Sequence, residues 1–131
     1  MKIVADTNVL VRAITDDHPI QSKTARGELE RADIVAIGTS SLCELVWVLS
    51  SIYKISRVGI AEAIRCLTSG ANVRVDRITV DAGLASLDAG GDFADGAIAF
   101  EGYRLGGETF VSFDKGAVRM LKAAGTNVRQ L

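Results

Sequence analysis

The sequence predicts an α/β protein, a three-layer α/β/α sandwich built on a small parallel sheet. Three observations carry this. Short runs rich in β-branched residues alternate with longer segments of helical apolar spacing, the pattern of a parallel sheet covered on both faces. Glycines stand where those helical segments should stop. The chain has 131 residues, 48% apolar and 24% charged, ordinary values for a folded domain with a sizeable core.

Taken in order, strands are expected at Lys2–Ala5, Ile34–Ile37, Val73–Val75, Thr109–Phe113 and Asn127–Arg129. Helical patterns fill the gaps at Asn8–Thr15, Pro19–Arg31, Ser41–Tyr53, Arg57–Ser69, Val80–Asp88, Phe93–Leu105 and Lys115–Ala124. Pro19, the only proline, falls where a first helical turn tolerates it. Gly106-Gly107 and Gly125 fit helix ends. His18, in Asp16-Asp17-His18-Pro19, reads as punctuation before a helix rather than as a ligand. With no repeat, linker or low-complexity tract, residues 1–131 read as a single domain.

The totals also exclude much. A net charge of −1 provides no global field to attract nucleic acid or an anionic membrane, so such binding requires a local patch or bound cations. Cys43 and Cys66 are too few and too far apart for a zinc motif and read as small buried residues. The most apolar stretch, Leu42 to Ile55, contains Glu44 and Lys54 and is too short to span a bilayer. No charged, then apolar, leader precedes the first strand. A soluble cytoplasmic protein is expected.

Chemistry concentrates at four acidic joints. Asp6 ends the first strand in Lys2-Ile3-Val4-Ala5-Asp6-Thr7-Asn8. Ser41-Leu42-Cys43-Glu44 follows the second. Asp92-Phe93-Ala94-Asp95 opens a helix, and Asp114 ends the strand in Val111-Ser112-Phe113-Asp114. Each has a structural reading. Asp6, Asp92 and Asp114 are plausible N-caps, Ser41 and Glu44 fit a capping box, and Asp95 suits the positive end of a helix dipole. Together they suggest more. In a parallel sheet, strand-to-helix joints lie on one edge, and convergent carboxylates repel one another unless a cation lies among them. Oxygen ligands without His or Cys suit Mg²⁺ or Mn²⁺. For Asp92 and Asp95, reaching that edge depends on the tertiary fold.

Asp6-Thr7-Asn8, the mid-chain Glu44, Asp92-Phe93-Ala94-Asp95-Gly96-Ala97 and Ser112-Phe113-Asp114, in this order, resemble the acidic motifs of PIN domains. The closest likeness is to the VapC-type toxins of bacterial toxin–antitoxin pairs. The resemblance implies a metal-dependent endoribonuclease. It implies catalytic roles for Asp6, Glu44, Asp95 and Asp114, metal ligation by Asp6, Asp95, Asp92 and Asp114, and supporting roles for Thr7, Asn8 and Ser112. Gly96 departs from the larger residue many relatives carry there. Hydrolysis by activated water, rather than attack by a 2′-hydroxyl, is then expected.

RNA would be held by local cations, with Arg12, Lys54, Arg57, Lys115 and Arg119 as candidates; Lys122 and Arg129 read as surface charge. The few aromatics lie mostly inside apolar patterns, which argues against a base-stacking platform and for a folded RNA recognised by shape. Apolar residues cover nearly every face of the segment from Leu42 to Tyr53. Either the helix is buried within the domain, or Leu45, Trp47, Leu49, Ile52 and Tyr53 face another chain. The resemblance implies a cognate antitoxin and a homodimer as partners. Two rivals remain: a phosphoryl-transfer enzyme using Asp6 as nucleophile, and a non-catalytic PIN-like module that only binds protein.

Overall fold

The computed structural model describes residues 1–131, which form two compact units, Met1–Asp76 and Arg77–Leu131. In the first unit, β1 (Lys2–Val4), β2 (Ile34–Ala36) and β3 (Val73–Arg74) form a parallel sheet in that order. Lys2 pairs with Ile34 and Val35 with Val73. Parallel neighbours need long crossovers. Helices α1 (Thr7–Ile14) and α2 (Pro19–Arg31) make the first, and α3 (Thr39–Ser51) and α4 (Arg57–Thr68) the second. The second unit contains α5 (Arg77–Asp88), α6 (Phe93–Arg104), β4 (Phe110–Ser112), α7 (Lys115–Ala123) and β5 (Val128–Gln130), with β4 and β5 paired in parallel. This is the α/β class expected, with small parallel sheets.

Burial explains the first unit. Val35 on the central strand is fully buried, as are Leu10, Leu42, Leu45, Leu49 and Ile64 from α1, α3 and α4. The all-round apolarity of α3 therefore resolves into two faces. Leu42, Leu45, Val46 and Leu49 enter the core, spaced as one stripe of a 3.6-residue helix, while Trp47 is 63% and the capping Ile52 62% exposed. Leu45 and Leu49, expected among the partner-facing residues, are fully buried in the core of their own unit and unavailable to a partner. Cys66 is also corrected. It is exposed, two residues beyond Ile64 and off the buried stripe of α4; Cys43 is half-buried, and the two form no disulfide.

In the second unit, α5 and α6 pack at unusually close range. A Cβ at Gly96 would lie 2.5 Å from the Ala82 carbonyl oxygen and 2.7 Å from Ser86 Cβ. Only the missing side chain lets the two helices approach this far. The modest helix-propensity cost of a mid-helix glycine is thus offset by packing, and Gly96 follows Asp95 directly. Helix α7 ends in a Schellman motif, with Gly125 at φ +89 and hydrogen bonds from Gly125 N to Lys122 O (3.0 Å) and from Thr126 N to Leu121 O (2.9 Å).

Helix starts depart from expectation once in a way that matters. The N-cap of α3 is Gly38, not Ser41. Ser41 therefore lies inside the helix and forms no capping box with Glu44. Its acid is left for other work. Before α2, His18 accepts from Gln21 N through Nδ1 and Pro19 takes the first position, the punctuating role expected of this pair.

Candidate active site

In the first unit, Asp6 and Glu44 meet through Thr7. Asp6 caps α1 in extended backbone (φ −76, ψ 157), and its Oδ1 accepts from Thr7 N at 2.8 Å. The buried Thr7 donates its Oγ1 hydroxyl to Glu44 Oε2 at 2.9 Å, across 37 residues of chain. This bond joins the carboxyl end of β1 to the first turns of α3, as the parallel arrangement of β1 and β2 requires. Asn8, expected to support the acids, is exposed and makes no side-chain hydrogen bond to either.

In the second unit, Asp92 caps α6 by accepting from Ala94 N at 3.2 Å. Asp95 stands half-buried in the first turn of that helix. Asp114 caps α7 by accepting from Ala117 N at 3.1 Å, and its own N–H donates to Ser112 Oγ at 2.9 Å. Burial first, then the charges of Asp92 and Asp114, push the Asp95 carboxyl above its ordinary pKa. Asp92, Asp95 and Asp114 therefore sense one another, as acids grouped for one task would.

Structural and chemical readings of these aspartates are not alternatives. A carboxylate has two oxygens and about four acceptor sites. Asp6, Asp92 and Asp114 each spend one oxygen on a cap, worth about 1 kcal/mol, and hold the other in a fixed direction. Within neither unit do three acids come close enough to hold an ion unaided. In kind, the donors are all oxygen, which suits a hard divalent cation. The repulsion felt by Asp95 is the feature such a cation would relieve.

Two expected contact residues are otherwise engaged. Arg12 donates to Asp17 at 3.0 Å and to Gln21 at 2.9 Å, which removes it as a ready phosphate ligand. Tyr53, expected at a partner surface, is half-buried and donates its hydroxyl to Asp17 at 2.7 Å. Asp17 also accepts from the Thr15 hydroxyl at 3.0 Å. These bonds, the Tyr53 hydroxyl foremost, hold the Asp17 carboxyl below the usual range. No sequence pattern revealed this cluster, because its members lie up to 41 positions apart with no shared motif. Phe113 was also missed. It is 79% exposed between Ser112 and Asp114, although an aromatic residue at the end of an expected strand suggested the interior.

No helix is long and apolar enough to cross a membrane. No curated relative matches the chain. The PIN domain family model matches residues 3–122, a span that includes every acid described above. PIN domains are in general metal-dependent nucleases. With the ordered acids held at helix starts and a match over nearly its full length, this chain belongs to the PIN domain family.

Proposed function

We propose that this PIN-domain protein is a cytoplasmic, Mg²⁺- or Mn²⁺-dependent endoribonuclease and the VapC-type toxin of a toxin–antitoxin pair. The observation that carries the reading is the environment of Asp95, half-buried and raised in pKa by its own burial and by Asp92 and Asp114. A fold that keeps like charges together without a counter-charge gains nothing structural from them. The acids assigned to catalysis are Asp6, Glu44, Asp95 and Asp114; Asp92, already committed to Ala94 N, is the auxiliary acid.

When bound, the divalent ion supplies charge neutralisation on the phosphate and a more acidic water. The protein's own groups do the rest. Asp95 and the uncommitted oxygens of Asp6 and Asp114 would hold the ion. Glu44 is fixed at Oε2 by Thr7, so its other oxygen is oriented to take the proton from the attacking water. The water adds to phosphorus, the P–O3′ bond breaks, the 3′-oxygen takes up a proton from solvent, and the products carry 5′-phosphate and 3′-hydroxyl ends. Ser112 steadies the backbone at Asp114.

The apolar groups left bare on α3 and α4 support an antitoxin partner and a homodimer. Trp47, Ile52 and Val58 remain exposed, and large exposed aromatic and aliphatic side chains favour protein contacts. The test is sequencing of RNA ends in cells producing the protein beside an Asp6→Asn control. New 5′-phosphate ends and growth arrest confined to the unaltered protein are expected. Ends bearing 2′,3′-cyclic phosphate, or equal cleavage by Asp6→Asn, would overturn the mechanism.

A further inference from the structure

The geometry points to Phe113 as a base-stacking residue and to one face of α7 as the phosphate track beside it, so that a base of the RNA passing Asp114 is lifted from its neighbours onto the ring. This deepens the nuclease reading and rests on it for the identity of the strand.

Four observations converge. Phe113 is 79% exposed and forfeits the burial free energy a phenyl ring ordinarily gains. Its sequence neighbours, Ser112, Asp114 and Lys115, are polar, so it is not the edge of a longer apolar run. Ser112 Oγ accepts the N–H of Asp114, and Asp114 caps α7, which holds the backbone on either side of Phe113. An aromatic ring carried on a fixed turn presents its face at little conformational cost. Finally, Lys115, Arg119 and Lys122 recur at i, i+4 and i+7 along α7. All three are exposed and none is in an ion pair, while Ala117, Val118 and Leu121 form the buried face.

The placement of these cations favours a ligand over a structural role. Lys122, in the last turn, suits the negative end of the helix dipole, but Lys115 at the first position opposes its positive end. What Lys115 gains is proximity to whatever passes Phe113 and Asp114. The three charges extend about 10 Å along the axis, a ridge that starts at an acid of the cleavage set and leads away from it. Phosphates require cations, and an unstacked base requires an aromatic face; this turn and helix provide both. A duplex would keep its bases stacked within itself and could not use the ring.

The experiment separates this proposal from the nuclease reading by measuring binding without cleavage. The probe is a mixed-sequence 12-nucleotide RNA, single-stranded or annealed to its complement, in Ca²⁺ with its integrity checked. In a Trp47→Phe background, which removes the one native indole, Phe113→Trp places a reporter at the site. Its fluorescence should be quenched by the single strand and far less by the duplex. Phe113→Ala should weaken single-strand binding about tenfold and Phe113→Tyr should restore it. Phe113→Leu, which keeps the apolar bulk, should remain weak. Lys115→Gln and Arg119→Gln should each lower the salt dependence of binding by about 0.7 in log–log slope. An indole unmoved by saturating RNA, or Phe113→Leu binding as tightly as the native protein, would overturn the proposal and make Phe113 a protein contact. Cleavage in Mn²⁺ with those negative results leaves the nuclease reading standing; stacking without cleavage sinks that reading alone.

Discussion

The acids of the two units use the same chemistry under opposite constraints. In the first, Asp6 and Glu44 are both satisfied by one residue: Thr7 donates its backbone N–H to one and its hydroxyl to the other. In the second, Asp92 and Asp114 each accept a backbone N–H at a separate helix start, and Asp95, between them in electrostatic terms, bears the burial and the repulsion. One group is organised by donors and the other is held in tension by the backbone that carries it. Acids of the first kind can stay oriented at little cost, whereas the repulsion among those of the second is what a bound cation would relieve.

The most severe way to break the second arrangement is Asp95→Asn. Cleavage should fall by on the order of 10³-fold, the scale of losing one group that stabilises transition-state charge, while the metal-free fold remains intact by circular dichroism. A variant that cleaves normally would remove Asp95 from the site. In the first arrangement the weak point is Thr7. Thr7→Val keeps the shape but removes the hydroxyl, and activity or metal affinity should drop roughly 10- to 100-fold; Thr7→Ser should recover most of it. Kinetics together with Mn²⁺ calorimetry distinguish the two variants.

Smaller effects probe the frame. Gly96→Ala would normally favour a helix by about 1 kcal/mol, yet here the added methyl meets Ala82 O and Ser86 Cβ. A net loss of about 1–3 kcal/mol is expected, read as a lower urea midpoint. The smallest effect depends on pH. Because the folded-state pKa of Asp95 is raised, its protonation favours the fold below the ordinary carboxylate value, and that contribution is lost as pH rises through the raised one. In metal-free buffer, Asp95→Asn should therefore melt higher than the native protein near neutrality, with the advantage vanishing below about pH 4. An equal advantage at both pH values would place the effect elsewhere.

Much of this was legible before any coordinates. The alternation of strands and helices carried the fold class, and all five strands lie within a residue or two of their expected spans. Glycine and proline marked helix ends well because their backbone limits are local. The failures came where the deciding partner was distant. Gly38, not Ser41, starts α3 because the chain turns there out of β2. Leu45 and Leu49 could not be told from Trp47 by composition, since only packing selects which stripe of an apolar helix is buried. Arg12 read as a free cation until Asp17 and Gln21 supplied its partners. Phe113 reads as an interior residue by type, and only its place between a fixed loop and a helix cap leaves it outside.

The double duty of the capping aspartates has a consequence for anyone scanning the chain by substitution. Asparagine caps a helix about as well as aspartate, but alanine sacrifices roughly 0.5–2 kcal/mol at such a position. At Asp6, Asp92 or Asp114, truncation to alanine would thus loosen a helix start and, on the roles proposed above, remove a reactive carboxylate at the same time. Amide replacement alters charge while sparing the local architecture, so at these three positions it alone can tell a lost reaction from a loosened protein.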